Sequence, residues 1–400
     1  MTTATSEDIR PPEPPGLIAW LRKNLFSNWY NSILTVIVGV LVVWAVYAGI
    51  RWVFFGADWS PVTSRPLLYM VGQYPVGQIW RIGLSLALVS FLFGVSWGVW
   101  GGMMRAFSLS LAFILVLLAL LPTESAQYTM EIRVFMVSAA LLIFLGYSIG
   151  KQSWISSRIT LLIWLLSLIV ILVLLRGFGG VLSVIPTNIW GGLLLTMVLA
   201  IGGIVLSFPI GVLLALGRRS KLPVISFFSS AFIEIVRGVP LIGILFMSSI
   251  IFPLFLPAEV RIDRLVRALM GITLFSAAYM AENVRGGLQA IPLGQFDAAR
   301  AIGLNNYYTT VLIVLPQALR KVIPSIVGQF IALFKDTTLA AGVGLLELLS
   351  VGQSILQANP NFFSLQMEVY IFIAAVFWVF SYSLSFASRR VEAALGVGKR

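Results

Sequence analysis

Apolar runs close to 20 residues long recur through this 400-residue chain, and they decide what it can fold into. A helix rises 1.5 Å per residue, so a run of that length crosses the ~30 Å of hydrocarbon in a bilayer. The runs fall at about 33–55, 82–103, 107–121, 132–149, 159–175, 190–217, 222–255, 265–290, 309–334 and 365–388. Only 10% of the residues are charged, 59% are hydrophobic, and the mean hydropathy is +0.98. A soluble domain carries roughly 25% charged residues; so few charges cannot cover a water-facing surface. The short alternating segments of a membrane barrel are absent, so the spans are helical. The expectation is an all-α integral membrane protein with about ten transmembrane helices. The run at 107–121 is short for a span, and that at 222–255 is long and broken by Pro240 and Pro253.

The net charge of +12 does not point to nucleic acid, because no basic stretch is interleaved with aromatic residues. Lys and Arg collect instead in loops, where they hold helices in orientation. There is no Cys and no His. That removes disulfides, thiol chemistry and thiolate metal sites, together with the commonest general base and transition-metal ligand. Neither Gly150-Lys151-Gln152 nor Gly398-Lys399-Arg400 has the spacing of a phosphate-binding loop. No cofactor is expected on this chain, and the chain is not expected to be an enzyme.

Residues 1–32 read as a polar, Pro-rich tail followed by an interfacial segment with Trp20, Arg22, Lys23, Trp29 and Tyr30, not as a cleaved signal peptide. With the N-terminus in the cytoplasm, ten spans return the C-terminal tail, 391–400, to the same side. The inner loops then hold fifteen Lys and Arg residues, among them Arg105, Lys151, Arg218, Arg219, Arg300, Arg389 and Arg390, against seven in the outer loops. This imbalance favours cytoplasmic termini.

The character of the chain changes near Trp190. Residues 33–189 form an N-terminal extension of five apolar segments, joined in part by a Gly/Pro/Trp-punctuated outer loop at 56–81. Gly94, Gly98 and Gly102 share one face of the second run, as close helix packing requires. Residues 190–390 carry ionisable groups inside or beside spans: Glu234, Arg237, Glu282, Arg285, Lys335, Asp336 and Glu347. Such groups are costly there and line a pathway or pair with one another. No repeat of 20–50 residues and no inverted repeat is visible.

Between two of these spans lies Asp297-Ala298-Ala299-Arg300-Ala301-Ile302-Gly303, followed by Leu304 and, beyond it, Ile313-Val314-Leu315-Pro316. Pro292 and Gly294 stop the preceding span. Gln295 and Asp297 suit a helix start, where a carboxylate meets the positive end of the helix dipole. Ala298, Ala299 and Ala301 leave a smooth face open to close approach. Gly303 ends the short helix, and Pro316 marks entry to the next span. An ordinary amphipathic connector is the plainer alternative.

This pattern resembles the coupling loop, here 291–308, of the membrane subunits of ATP-binding-cassette (ABC) importers. Gly192-Leu193-Leu194-Leu195-Thr196, Leu206-Ser207-Phe208-Pro209-Ile210-Gly211 and Glu234-Ile235-Val236-Arg237-Gly238-Val239-Pro240-Leu241 look like segments of the polar amino-acid permeases. So do Ala278-Tyr279-Met280-Ala281-Glu282-Asn283-Val284-Arg285-Gly286-Gly287 and Phe334-Lys335-Asp336-Thr337-Thr338-Leu339. Leu21-Arg22-Lys23-Asn24-Leu25-Phe26 and the residues after it are similar to the longer permease of general L-amino-acid importers. Asp297 stands where the family more often has Glu, and Val239 where it has Thr.

The resemblance implies a type I ABC importer permease fold, with a five-helix core after the extension, in a bacterial inner membrane. It implies partners: a second homologous permease, an ABC ATPase dimer carrying ATP and Mg, a periplasmic amino-acid-binding protein, an L-amino-acid substrate and membrane lipid. Asp297, Ala298, Ala299, Gly303, Leu304, Ile313 and Pro316 would couple to the ATPase. Glu234, Arg237, Glu282, Lys335, Asp336, Thr337 and Thr338 are candidates for the substrate pathway. An amino acid brings a carboxylate for Arg237 or a helix N-terminus and an ammonium for an acid. The plainer readings are Glu234–Arg237 and Glu282–Arg285 as self-neutralising i,i+3 pairs, Lys335–Asp336 as a structural pair, and Thr337 and Thr338 bonded back to their own helix. The rival function is an ion-coupled secondary transporter, in which Glu234, Glu282 and Asp336 would bind the ion.

Overall fold

The computed structural model describes residues 16–120, 128–257 and 259–396. The Pro-rich start, the last residue of the third apolar run and the Lys399-Arg400 end lie outside the described residues. Residues up to Asp58 form one unit and those from Trp59 onward another.

In the first unit, α1 (Leu17–Asn24) leads into α2 (Trp29–Arg51), which runs on through a widened turn to Gly56. The Thr35 hydroxyl donates to the Leu25 carbonyl at 2.8 Å and pins the turn between them. No residue of α2 is buried. A helix apolar on every side is at home in lipid.

The second unit starts with two short helices, α3 (Ser60–Thr63) and α4 (Pro66–Val71). They lie in the loop at 56–81, and Leu67, Tyr69 and Val71 are buried in the body. Next come α5 (Ile79–Trp100), α6 (Gly102–Leu120), α7 (Met130–Gly150) and α8 (Ser157–Arg176). The α5–α7 crossing brings backbone against backbone. A Cβ at Gly94 would lie 2.0 Å from the Ile143 carbonyl oxygen, and one at Gly146 2.2 Å from that of Phe91. Gly98 meets Gly150 in the same way. Gly102, expected on this face, is outside it: Gly101 takes a φ of 66°, turns the chain, and leaves Gly102 to open α6 with free space around it.

The remaining helices are α9 (Gly192–Arg218), α10 (Pro223–Gly238), α11 (Leu241–Phe246) and α12 (Arg264–Gln289), then α13 (Leu293–Ala301), α14 (Asn306–Tyr308), α15 (Leu315–Asp336), α16 (Leu348–Ala358) and α17 (Gln366–Leu395). The run at 222–255 is not one span. Val239 precedes a proline and is held extended (φ −111°, ψ 138°), as steric clash with the proline ring demands. The chain turns by 108° there, and Leu241 starts a new helix. Helix α17 continues to Leu395, into the segment expected as a tail. Among the described residues eight helices are long and apolar enough to cross a membrane, or nine if the bent pair counts as one span. Helix α6 is a shorter apolar helix.

The change of composition at Trp190 is not a gap in the packing. Trp190 is 2% exposed and shares a core with Val71, Tyr74 and Leu175 before it and Leu195, Leu199 and Leu333 after it. A second core, around Ile233, Met280, Val284, Ala318 and Ile326, fills the other half of the α9–α10–α12–α15 group. Glycine makes the seam between extension and core. Gly72 (φ 67°) would drive a Cβ to 2.4 Å from the Cα of Gly191, and Gly192 (φ 58°) to 2.2 Å from the Tyr69 carbonyl oxygen. The Gly192 amide donates to the Leu346 carbonyl at 2.9 Å.

Candidate functional site

Helix α13 and its flanks hold the residues expected to couple. Pro292 precedes the helix, so its first turn is Leu293, Gly294 and Gln295, and no acid sits in it. Asp297 is therefore not at the helix start. It lies mid-helix and pairs across the exposed surface with Arg300 at 3.5 Å. The C-terminal end follows expectation. Gly303 takes a φ of 81°, its amide donates to the Arg300 carbonyl at 2.9 Å, and the Leu304 amide donates to the Ala299 carbonyl at 3.1 Å. This double closure satisfies carbonyls that a helix end otherwise leaves open.

The smooth face is narrower than the sequence suggests. Ala298 and Ala301 are exposed, but Ala299 is 3% exposed and turned inward. Leu293 and Ile302 stand out at 79% and 74% exposed. Pro316 stands in the first turn of α15, as expected. The apolar segment begins earlier, at α14, where the Asn305 side chain accepts from the Tyr308 amide at 2.9 Å. A widened turn over Thr309–Val314 joins α14 to α15, and the amide that Pro316 lacks is one that a first helical turn leaves unpaired. Leu304 and Ile313 are partly buried. Gln317 Nε2 of α15 donates to Gln295 Oε1 of α13 at 3.0 Å, and Lys321 Nζ of α15 to the Ala290 carbonyl at the end of α12 at 2.6 Å.

The second constellation joins α9, α10 and α12. Glu282 accepts from Arg218 Nη1 at 2.8 Å and from Arg285 Nη2 at 2.8 Å, with Arg237 Nη1 3.6 Å away. Arg218 also donates through Nη2 to Glu234 at 2.9 Å. Arg237 lies over the Tyr279 ring, 5.4 Å from its centroid. The Glu282–Arg285 pair is thus within one helix, as one sequence reading has it. Glu234–Arg237 is not: Glu234 turns to Arg218 and Arg237 to Glu282. Three guanidiniums face two carboxylates, leaving one positive charge, and the buried Nε of Arg237 has no hydrogen-bond partner. Arg218, read from the sequence only as a loop cation, is the hub. The signal that could have exposed it is that Glu234 and Glu282 are acids on neighbouring spans, which a shared base can bridge.

Lys335, Asp336, Thr337 and Thr338 make no hydrogen bond or ion pair with this cluster among the described residues. They end α15, where the chain tightens into a 3-10 turn over Thr337–Val343. Lys335 is exposed and Asp336 half-buried, and no ion pair joins them. Thr337 Oγ1 donates to the Phe334 carbonyl at 2.7 Å and Thr338 Oγ1 to that of Lys335 at 2.9 Å, bonding back to the helix. Just beyond, Glu347 is wholly buried and caps α16, accepting from the Leu349 amide and from the Ser350 amide and hydroxyl, each at 2.8 Å. Burial pushes its carboxyl above the ordinary value, against the lowering effect of those donors.

Known proteins place these elements in context. Residues 207–397 match the family described as binding-protein-dependent transport system inner membrane component. The chain is 36% identical to the inner membrane amino-acid ABC transporter permease protein YhdY of Escherichia coli (strain K12), over 97% of each chain. It is 34% identical to the glutamate/glutamine/aspartate/asparagine transport system permease protein BztC of Rhodobacter capsulatus, over 96% of this chain and 94% of that one. A solved structure titled as an amino acid ABC transporter with histidines is 27% identical and covers 51% of this chain and 92% of its own, with a TM-score of 0.46. On the full-length likeness to the first two, this chain belongs to the amino-acid ABC transporter permeases, inner membrane components of binding-protein-dependent transport systems.

Proposed function

We propose that the chain and a second, homologous permease form the pathway of an importer that carries polar L-amino acids inward by alternating access. Both termini are cytoplasmic in this reading. Two ATPase subunits hold ATP and Mg, and a periplasmic binding protein delivers the substrate. The observation that carries the reading is α13: a short helix between two spans, closed by Gly303, with Leu293 and Ile302 projecting into open space. That is the shape a groove on another protein requires. ATP drives the cycle because it favours one arrangement of the ATPases over the other, and α13 passes that preference to α12 and α15.

The substrate class draws on the charge cluster. Relatives are named for amino acids, one of them for glutamate, glutamine, aspartate and asparagine. Arg218, Arg237 and Arg285 outnumber Glu234 and Glu282, which suits a cargo bearing a carboxylate. Asp336, half-buried and without an ion pair among the described residues, is a candidate partner for its ammonium group.

The test is affinity purification in mild detergent followed by mass spectrometry and by uptake of labelled glutamate, glutamine, aspartate and asparagine in cells. A stoichiometric ATPase, a second permease and ATP-dependent uptake are expected. Gly303→Trp should abolish ATPase association or uptake while the protein still inserts. Normal uptake by a well-expressed Gly303→Trp variant overturns the role given to α13.

A further inference from the structure

We infer that the cleft between α6 and α17 is a binding site for one anionic phospholipid, with its phosphate at Arg105, Arg389 and Arg390. The cleft has a volume of about 390 Å³ and is lined by Leu109, Ser110, Phe113, Ile114, Trp378, Val379, Tyr382 and Ser383. Phe113 and Trp378 are 68% and 64% exposed, so its walls are apolar and uncovered. In a membrane-spanning segment such a cleft takes acyl chains.

Charge selects the lipid. Phe107 meets Phe386 at 5.9 Å between ring centroids, at one end of the cleft. Helices α6 and α17 are antiparallel there, so Arg105 comes level with Ser388 and Arg389. All three arginines are exposed, and none is held in an ion pair among the described residues. Arg389 lies over the Tyr382 ring at 5.8 Å and Arg390 over the Phe386 ring at 5.1 Å. The acid closest in sequence, Glu392, accepts from Ser388 Oγ at 2.5 Å and offsets one of the three charges. The remaining excess suits a phosphate diester, and it repels the cationic end of a zwitterionic headgroup. Arg389 follows Ser383 by ~9 Å along the helix. That span fits the step from the first acyl methylenes, through glycerol, to phosphate. The leaflet rests on the orientation proposed above, with these arginines on the cytoplasmic side; the site itself does not.

The full chain, with whatever subunits accompany it, would be delipidated in detergent and titrated with phosphatidylglycerol, with phosphatidylcholine and with inorganic phosphate, counting bound molecules by native mass spectrometry. One phosphatidylglycerol is expected to be retained in preference to phosphatidylcholine. Affinity should fall by roughly fivefold for each arginine made Gln and on the order of a hundredfold for Arg105→Gln, Arg389→Gln and Arg390→Gln together. The corresponding triple Lys variant should keep the lipid, which separates loss of charge from loss of fold. Ser110→Trp, which fills the cleft and leaves the arginines, should also release it. Equal retention by the triple Gln variant, or equal binding of phosphatidylcholine, overturns the proposal. Phosphatidylglycerol held undiminished by Ser110→Trp, or inorganic phosphate bound as tightly, overturns the part played by the cleft. The measurement involves no transport, so its failure is distinct from failure of the importer reading.

Discussion

Arg218 and Glu282 lie 64 residues apart in the chain and meet at 2.8 Å, joining the end of α9 to the C-terminal part of α12. Glu282 is the tighter point of the arrangement: its side chain is 16% exposed and faces three guanidiniums. Removing the acid leaves those cations facing one another, whereas removing Arg218 leaves Glu282 with two partners.

Glu282→Gln should therefore destabilise the protein by about 2 kcal/mol, less than a fully buried pair loses because solvent reaches part of the cluster, and Arg218→Gln by less. The double variant should cost less than the sum. Thermal unfolding of all four proteins in detergent decides this; strictly additive losses would show that the two residues are not coupled.

The α5–α7 crossing gives a contrast between glycines on one predicted face. Gly94→Ala places a methyl 2.0 Å from a backbone oxygen of α7, and backbone cannot step aside as a side chain can. The helices must part, and a loss of about 3 kcal/mol, at the upper end for overpacking, is expected. Gly102→Ala has open space and should be neutral. Yield of folded protein after membrane extraction reads both.

Helix α13 separates docking from folding at adjacent residues. Ala298 is exposed and Ala299 buried. Ala298→Trp should leave the isolated permease as stable as before and weaken ATPase association at least tenfold, given that an interface cannot absorb an indole without separating. Ala299→Trp should lower the stability of the permease itself by about 2 kcal/mol. Binding of the purified ATPase and melting of the isolated chain, measured side by side, test the pair. Equal behaviour of the two variants would contradict the exposed face.

Glu347 gives stability a pH dependence. Its raised carboxyl pKa means that the folded state holds the proton more tightly than the unfolded state. The stabilisation is complete below the unfolded value of about 4.3 and fades as pH rises through the elevated folded value. Melting temperature should fall over that window in the wild type, and the slope should be shallower in Glu347→Gln. An unchanged slope would mean that another group titrates there.

Spans were legible because hydropathy depends on composition, which tolerates error in any one residue. Gly303 was legible because helix closure is a local event. Charge pairing was not. Glu234 and Arg237 have the spacing of a helical pair, yet a guanidinium from α9 competes better for Glu234, and nothing local announces a partner that distant. Asp297 misled for a related reason: a helix start depends on where backbone amides are free, and Pro292 moved that point upstream. The bend at Val239 was half visible. Its proline marked the break, while the 108° angle comes from the packing of α11 against α12 and the turn after Thr337.

The glycine seam sets an order of events during synthesis. Gly72, Gly191 and Gly192 meet early in the chain, but the carbonyl that receives the Gly192 amide belongs to Leu346. Thr196 likewise waits for the Leu348 amide, which donates to its hydroxyl. The extension and the first core helix are thus translated long before the segment that locks them. Until the ribosome has passed residue 348, the Gly192 amide and the Thr196 hydroxyl lack the partners that close the seam.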